Sequence, residues 1–166
     1  MIAATLAISL SGEAAHSDMM KATAYMKNPN GKDAGAVELM ETPNGVLLTA
    51  RLKGLPAGIH AFHVHAVGKC EPPFKSAGGH YNPGGKKHGS LVDGGLHAGD
   101  MPNIHVPSSG ALTVEVLNPN ITLAKGKPNT VFDSDGSGII IHARGDDYRS
   151  QPSGAAGPRI ACGVIK

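Results

Sequence analysis

The sequence predicts an all-β domain, an antiparallel sandwich or barrel with long irregular connections. Three observations carry this. Short runs of alternating apolar and polar residues recur along the chain, each closed by a turn signal. Gly (23) and Pro (12) together make up about a fifth of the 166 residues, which argues for many turns and against a helical bundle. Aromatics are only 4% and Trp is absent, so the core must be built from Val, Ile, Leu and Ala, residues that suit pleated strands.

The elements follow in order. Residues 19–27 and 35–41 read as strands. Thr42-Pro43-Asn44-Gly45 is a tight turn that returns the chain as a strand over 46–52. Gly54 to Gly58 is a second break, and 60–66 alternates again, with His63 and His65 on one face and Phe62 and Val64 on the other. Residues 67–109 hold many Gly, Pro and Lys and few apolar runs. A loop of that length inside a compact domain is functional or unstructured. Strands are expected again at 111–117, around 121–123, at 138–142 and at 159–165, with a polar loop over 143–158.

Composition excludes several classes. A formal charge of +2 with mixed signs does not make a nucleic-acid groove, and no run of 18 apolar residues is available for a membrane span. Cys70 and Cys162 are the only cysteines and neither belongs to a CxxC pair. They are two buried thiols or one disulfide closing a loop of about 90 residues, worth roughly 4–5 kcal/mol in the chain-entropy model. Residues 2–11 are apolar, and Gly12-Glu13-Ala14 has the spacing of a leader cleavage site, although a basic start is missing. Residues 1–15 are therefore expected to be a leader remnant and 16–166 the domain. Export would place the cysteines where a disulfide persists.

The histidines are the chemical signal: nine in a chain with three Tyr and three Phe. His63 and His65, two apart on a strand, can reach one metal ion, although HxH alone also suits a half-exposed polar strand face. His80, His88, His97 and Asp100 fall in the long loop, where apolar burial is scarce and a cross-link is needed. Three imidazoles and a carboxylate match tetrahedral zinc. His142 ends the apolar run Ile139-Ile140-Ile141 and so sits on a rigid element. Six His and one Asp exceed one tetrahedral ion, so two sites or a shared ligand are implied. Imidazole-only coordination suits copper or zinc. Asp146 and Asp147 are candidates for orienting the ligating rings, or for a solvated loop face.

Gly58-Ile59-His60-Ala61-Phe62-His63-Val64-His65, Ser76-Ala77-Gly78-Gly79-His80-Tyr81-Asn82-Pro83, Lys87-His88-Gly89, His97-Ala98-Gly99-Asp100 and Gly157-Pro158-Arg159-Ile160-Ala161-Cys162-Gly163-Val164 occur in this order. Together they resemble the copper/zinc superoxide dismutases over residues 19–166. The resemblance implies a Greek-key sandwich or flattened barrel with metal-binding and electrostatic loops, a fold for which this family is itself a known example. It implies copper on His63, His65, His80 and His142, and zinc on His80, His88, His97 and Asp100, with His80 bridging. It implies Asp146 linking His63 to His88, His60 supporting a ligand from behind, Arg159 as the anion-binding guanidinium, and a Cys70–Cys162 disulfide. His105 is read as surface, and His16 has no role in the pattern.

The implied reaction is disproportionation of superoxide, with the superoxide anion as substrate. The alternative is a metal-binding or copper-chaperone-like domain without turnover, which would be expected to lack a copper ligand or the arginine. Lys69, Lys75, Lys86, Lys87, Arg144 and Arg149 are available to steer an anion, for which this family is again a standing example. Ala61 stands where the family has glycine, Pro152 where animal and plant members often carry a lysine, and the 143–158 loop is short. Asp146-Asp147-Tyr148, the Gln151-Pro152-Ser153-Gly154 stretch and the leader-like start resemble the bacterial branch, so a periplasmic or secreted location is expected. Dimer mode differs between branches, which leaves a homodimer as one of the oligomeric states open to the chain.

Overall fold

A computed structural model describes residues 19–166. The proposed leader over 1–15, and His16, lie outside the described residues. Nine strands form: β1 (Lys21–Lys27), β2 (Asp33–Thr42), β3 (Gly45–Leu52), β4 (Gly58–His60), β5 (Phe62–His65), β6 (Ile104–Val106), β7 (Leu112–Asn118), β8 (Gly138–His142) and β9 (Arg159–Val164). Among the described residues the only helical element is a single 3-10 turn, Lys75–Ala77. Seven strands make one antiparallel sheet in the order β5-β8-β9-β1-β2-β3-β7, and β4 pairs with β6. β4 and β5 are one bent run interrupted at Ala61. The sheet therefore curls into a flattened barrel whose seam lies between β6 and β7.

Alternation sets which side is filled. In β1 and β3 every second residue is buried, placing Ala24, Met26, Val46, Leu48 and Ala50 inside. They pack with Val37, Leu39, Phe62, Val64, Ile104, Ile139 and Ile141 in one apolar core. The β2–β3 hairpin turns over Pro43-Asn44, with Thr42 paired to Gly45. Gly45 has φ 118° and approaches the next strand so closely that a Cβ would lie 2.4 Å from the Asn118 carbonyl oxygen, so only glycine fits.

β5 and β8 differ from the rest, being buried on both faces. Phe62 and Val64 enter the core, while His63 and His65 face outward yet are also covered. The two long loops supply that cover. Ile140, outward on β8, packs with Phe74, Ala77 and Cys162 in a second small cluster beneath the Cys70–Cys162 disulfide, which joins residues 92 apart. The disulfide alternative for the cysteines is therefore the one realised.

Two sequence expectations need correction. Residues 67–109 are not structureless, because Ile104–Val106 pairs with Gly58–His60. Residues 121–123 do not form a strand. Ile121 and Leu123 are buried, but the Glu41 carboxylate takes the Leu123 N–H (2.6 Å) and the Thr122 hydroxyl (2.7 Å), and only one isolated bridge, Thr122 to Thr130, remains. A side chain here replaces the ladder.

Candidate metal centre

Six histidines and one aspartate meet against the outer face of β5. Ligand atoms of His63, His65, His80 and His142 lie within 4.8 Å of one another, and so do those of His80, His88, His97 and Asp100. All seven residues are buried. His80 belongs to both sets. β5 presents His63 and His65, β8 ends in His142, and the 67–103 loop delivers the others, docked by bridges from His65 to His80 and from His63 to Asp100.

The hydrogen bonds decide which nitrogen of each ring faces the cluster. His65 Nδ1 lies 3.0 Å from the Gly78 carbonyl oxygen, and His142 Nδ1 lies 3.1 Å from that of Gly157. A carbonyl only accepts, so both rings carry their proton on Nδ1. Burial holds both rings neutral, pushing His142 down to about 3 and His65 well below the ordinary imidazole value, despite those bonds. Their Nε2 lone pairs then face each other at 3.3 Å, with no proton between them. His63 donates Nε2–H to Asp146 Oδ2 (2.9 Å), which leaves its buried Nδ1 without a partner; burial lowers this ring to about 4. His80 Nδ1 meets Asp100 Oδ1 at 2.7 Å, while its buried Nε2 has no partner. Four bare imidazole nitrogens pointed at one another is an arrangement that only a cation satisfies.

The second set is organised around Asp100. Its carboxylate lies 2.7 Å from His80 Nδ1, 3.0 Å from His88 Nδ1 and 3.4 Å from His97 Nδ1, and it also accepts the N–H groups of Gly89 and His97. Burial would raise Asp100, but these bonds outweigh it and hold the carboxylate ionised, well below its usual range. Three imidazole nitrogens and one carboxylate fit tetrahedral zinc, and an all-imidazole set fits copper.

Asp146 ties the sets together. Its Oδ2 accepts from His63 and its Oδ1 from His88 Nε2 (3.0 Å) and the Tyr148 N–H. Burial works to raise this carboxyl, and the two imidazole bonds overcome it. Asp147, the other candidate, serves only its own loop, accepting the N–H groups of Arg149 and Ser150. His60 is outside both sets: its ring nitrogens lie 2.8 Å from the His142 carbonyl and 2.9 Å from that of Pro56, steadying the end of β8. His105 is exposed. Ala61 is fully buried without strain; its N–H bonds the Arg144 carbonyl and its own carbonyl accepts from His142.

Both sets reach an outward opening, the first through His65, His80 and His142 and the second through His80 and His97. A cavity of about 420 Å³ is lined by His65, His80, His142, Pro152, Ser153 and Arg159, among others. The Arg159 guanidinium is held by the carbonyls of Phe74 and Gly78, so it is fixed at the wall with positive charge facing the ligand cluster. Of the cationic candidates, Lys75 lines a mouth beside Arg159, whereas Lys69 pairs with Glu71 and Arg144 binds the Ala155 carbonyl.

Asn103 escaped sequence reasoning. Its side-chain amide pairs reciprocally with the Asp146 backbone, and its own N–H donates to the Tyr148 hydroxyl. Its position three residues after Asp100 was the only available signal.

Comparison with known proteins agrees with this geometry. Residues 33–165 match the family model described as copper/zinc superoxide dismutase. Superoxide dismutase [Cu-Zn] 2 of Aquifex aeolicus is 52% identical over 155 residues, spanning 92% of this chain and 91% of its own. Superoxide dismutase [Cu-Zn] of Caulobacter vibrioides is 49% identical, spanning 87% and 85%. Among solved structures, an SOD-like protein from Bacillus subtilis superposes with a TM-score of 0.83 at 37% identity, covering 87% of this chain and 97% of that one. The Cu/Zn superoxide dismutase of Brucella abortus gives 0.71 at 31% identity, covering 89% and 100%. The chain belongs to the copper/zinc superoxide dismutase family.

Proposed function

We propose that this chain disproportionates superoxide: two superoxide anions and two protons become dioxygen and hydrogen peroxide. The observation that carries it is the shared His80, whose Nδ1 serves the Asp100 set while its bare Nε2 serves the all-imidazole set, beside the cavity that Arg159 lines. His63, His65, His80 and His142 would hold copper, and His80, His88, His97 and Asp100 would hold zinc. Copper supplies one-electron cycling between Cu(II) and Cu(I), which zinc does not.

The protein's own groups do the rest. Arg159 attracts and orients the anion, since guanidinium stays charged and presents N–H donors in a plane. His80 is placed to hold a proton at Nε2 and pass it to the reduced anion; water in the cavity supplies the second. Asp146 orients His63 and His88 at once, so neither ring can turn independently. The Cys70–Cys162 disulfide fixes the segment whose Phe74 and Gly78 carbonyls hold Arg159.

Family membership alone does not decide turnover, because one relative, from Bacillus subtilis and 40% identical, is named only superoxide dismutase-like. The complete ligand sets and Arg159 favour the enzyme over a metal carrier. The disulfide and the apolar first residues support export to the periplasm or beyond the cell, with 16–166 as the working domain. Metal analysis, a copper spectrum and a superoxide-decay assay test the reading together. One copper and one zinc per chain with rapid decay are expected; a fully loaded protein without turnover would leave the carrier.

A further inference from the structure

The 143–158 loop touches both metal sets, and one side chain in it has no role in the chemistry above. The Gln151 carboxamide pairs with the backbone of His88 in both directions: His88 N–H donates to Oε1 (2.9 Å), and Nε2 donates to the His88 carbonyl (2.8 Å). This is a strand-like pairing made by a side chain, applied to a residue of the Asp100 set. Nε2 also reaches the Arg149 carbonyl at 3.0 Å, which fixes the carboxamide in its own loop.

The loop around Gln151 is closed on itself. Asp147 N–H donates to the Gly154 carbonyl and Gly154 N–H to the Ser150 carbonyl, while Asp147 gathers the N–H groups of Arg149 and Ser150. Residues 147–154 therefore form one closed, hydrogen-bonded unit. That unit carries Pro152 and Ser153, which line the cavity shared with His80 and Arg159. Its far end presses on the metal face: a Cβ on Gly154 would lie 1.8 Å from Asp146 Oδ1 and 2.8 Å from His88 Nε2. His88 is thus the point where the closed loop meets the Asp100 set.

Resting on the metal assignment above, we propose that Gln151 is a positioning residue, a latch through which zinc at the Asp100 set fixes the Pro152–Ser153 wall of the anion cavity. With His88 held by metal, its backbone is an immobile partner and the Gln151 pair locks the closed loop. With His88 free to shift, the pair carries that motion to the wall. Asp146 and the Leu91 N–H to Tyr148 carbonyl bond also tie the loop to the Asp100 set, but among the hydrogen bonds Gln151 is the tie from His88 to the segment that carries Pro152 and Ser153. The two sites are then linked as well as adjacent, and linkage acts in both directions.

The first test needs zinc alone. Amide hydrogen exchange over 149–157 is compared with and without one equivalent of zinc in the copper-free protein and in its Gln151→Ala and Gln151→Glu variants, with bound zinc counted. Zinc is expected to slow exchange about ten-fold in the parent protein and less than two-fold in Gln151→Ala at full zinc occupancy. Gln151→Glu, which keeps the acceptor and loses the donor, should fall between them. A parent loop indifferent to zinc, or a Gln151→Ala loop that tightens as much as the parent's, overturns the latch. The second test uses the copper- and zinc-loaded protein. Azide affinity, read from the copper spectrum, should drop about five-fold on zinc removal in the parent and by a clearly smaller factor in Gln151→Ala, where the shared His80 still transmits the loss but the loop does not; an equal drop in both overturns the latch. A change in thermal stability alone would not move this ratio. Turnover with a zinc-indifferent loop sinks the latch and spares the enzyme; a zinc-tightened loop without turnover does the reverse.

Discussion

A histidine ring offers two nitrogens, and here the surrounding backbone and carboxylates have already claimed one of each. Gly78 and Gly157 carbonyls take the Nδ1 protons of His65 and His142, and Asp146 takes the Nε2 protons of His63 and His88. Replacing Asp146 by Asn keeps the shape but offers one acceptor oxygen where two are used. Zinc affinity, measured by chelator competition, is expected to fall about 10–100-fold, the usual cost of losing a group that orients a ligand. Arg159 makes a sharper case, because its two carbonyl partners use the planar fork and not merely the charge. Arg159→Lys should keep part of the anion attraction and lose the fixed position. Its superoxide-decay rate is expected between those of the parent and Arg159→Ala, with metal content equal in all three. Equal rates for Lys and Ala would mean that position, not charge, is what counts.

At the scale of elements, two strands carry candidate ligands because two loops cover them, and the covering depends on close backbone approach. Gly99 is such a point: its carbonyl accepts the Val64 N–H, its N–H donates to the Tyr81 carbonyl, and a Cβ there would sit 2.2 Å from the Val64 oxygen. Gly99→Ala must push the loop off β5, with Asp100 next in the chain. A loss of about 1–3 kcal/mol, as for other overpacked sites, is expected in denaturant unfolding of the metal-free protein, together with weaker zinc binding. The sequence displayed β1, β2, β3, β5, β7, β8 and β9 because each alternates or runs apolar for several residues. It hid β6, since Ile104-His105-Val106 is too short to show a period and gains its pairing only from Gly58–His60 on the other side of the long loop. It overstated 121–123, whose apolar side chains are buried while Glu41 takes the Leu123 N–H and the Thr122 backbone pairs with Asn129 and Val131 in a single isolated bridge. All seven ligand candidates were visible as residue types in order along the chain. Asn103, and the pairing of Gln151 with His88, were not, because an amide that clamps a distant backbone leaves no spacing rule.

At the scale of the whole molecule, the cost of this site is a set of buried imidazoles that must stay neutral in the folded chain. Burial lowers His63 to about 4 and His142 to about 3, and moves His65 and His97 in the same direction, against about 6.5 in the unfolded chain. A depressed folded value means that the unfolded chain binds more protons as pH falls. The stabilisation is therefore complete above about 6.5 and is lost progressively as pH drops towards the folded values. For the metal-free protein this costs about 2 kcal/mol each for His63 and His142 between pH 7.5 and 5, an appreciable share of a domain's stability. Asp146, also held low in the folded state, adds to the loss only below about pH 4. The urea midpoint of the metal-free protein should thus fall steeply between pH 7 and 5. The loaded protein should hold its midpoint further into acid, because ligand-bound metal competes with protons and stabilises by mass action. A metal-free midpoint flat from pH 7.5 to 5 would mean that the rings are already protonated or solvated, and would remove the bare-nitrogen argument on which both metal assignments rest.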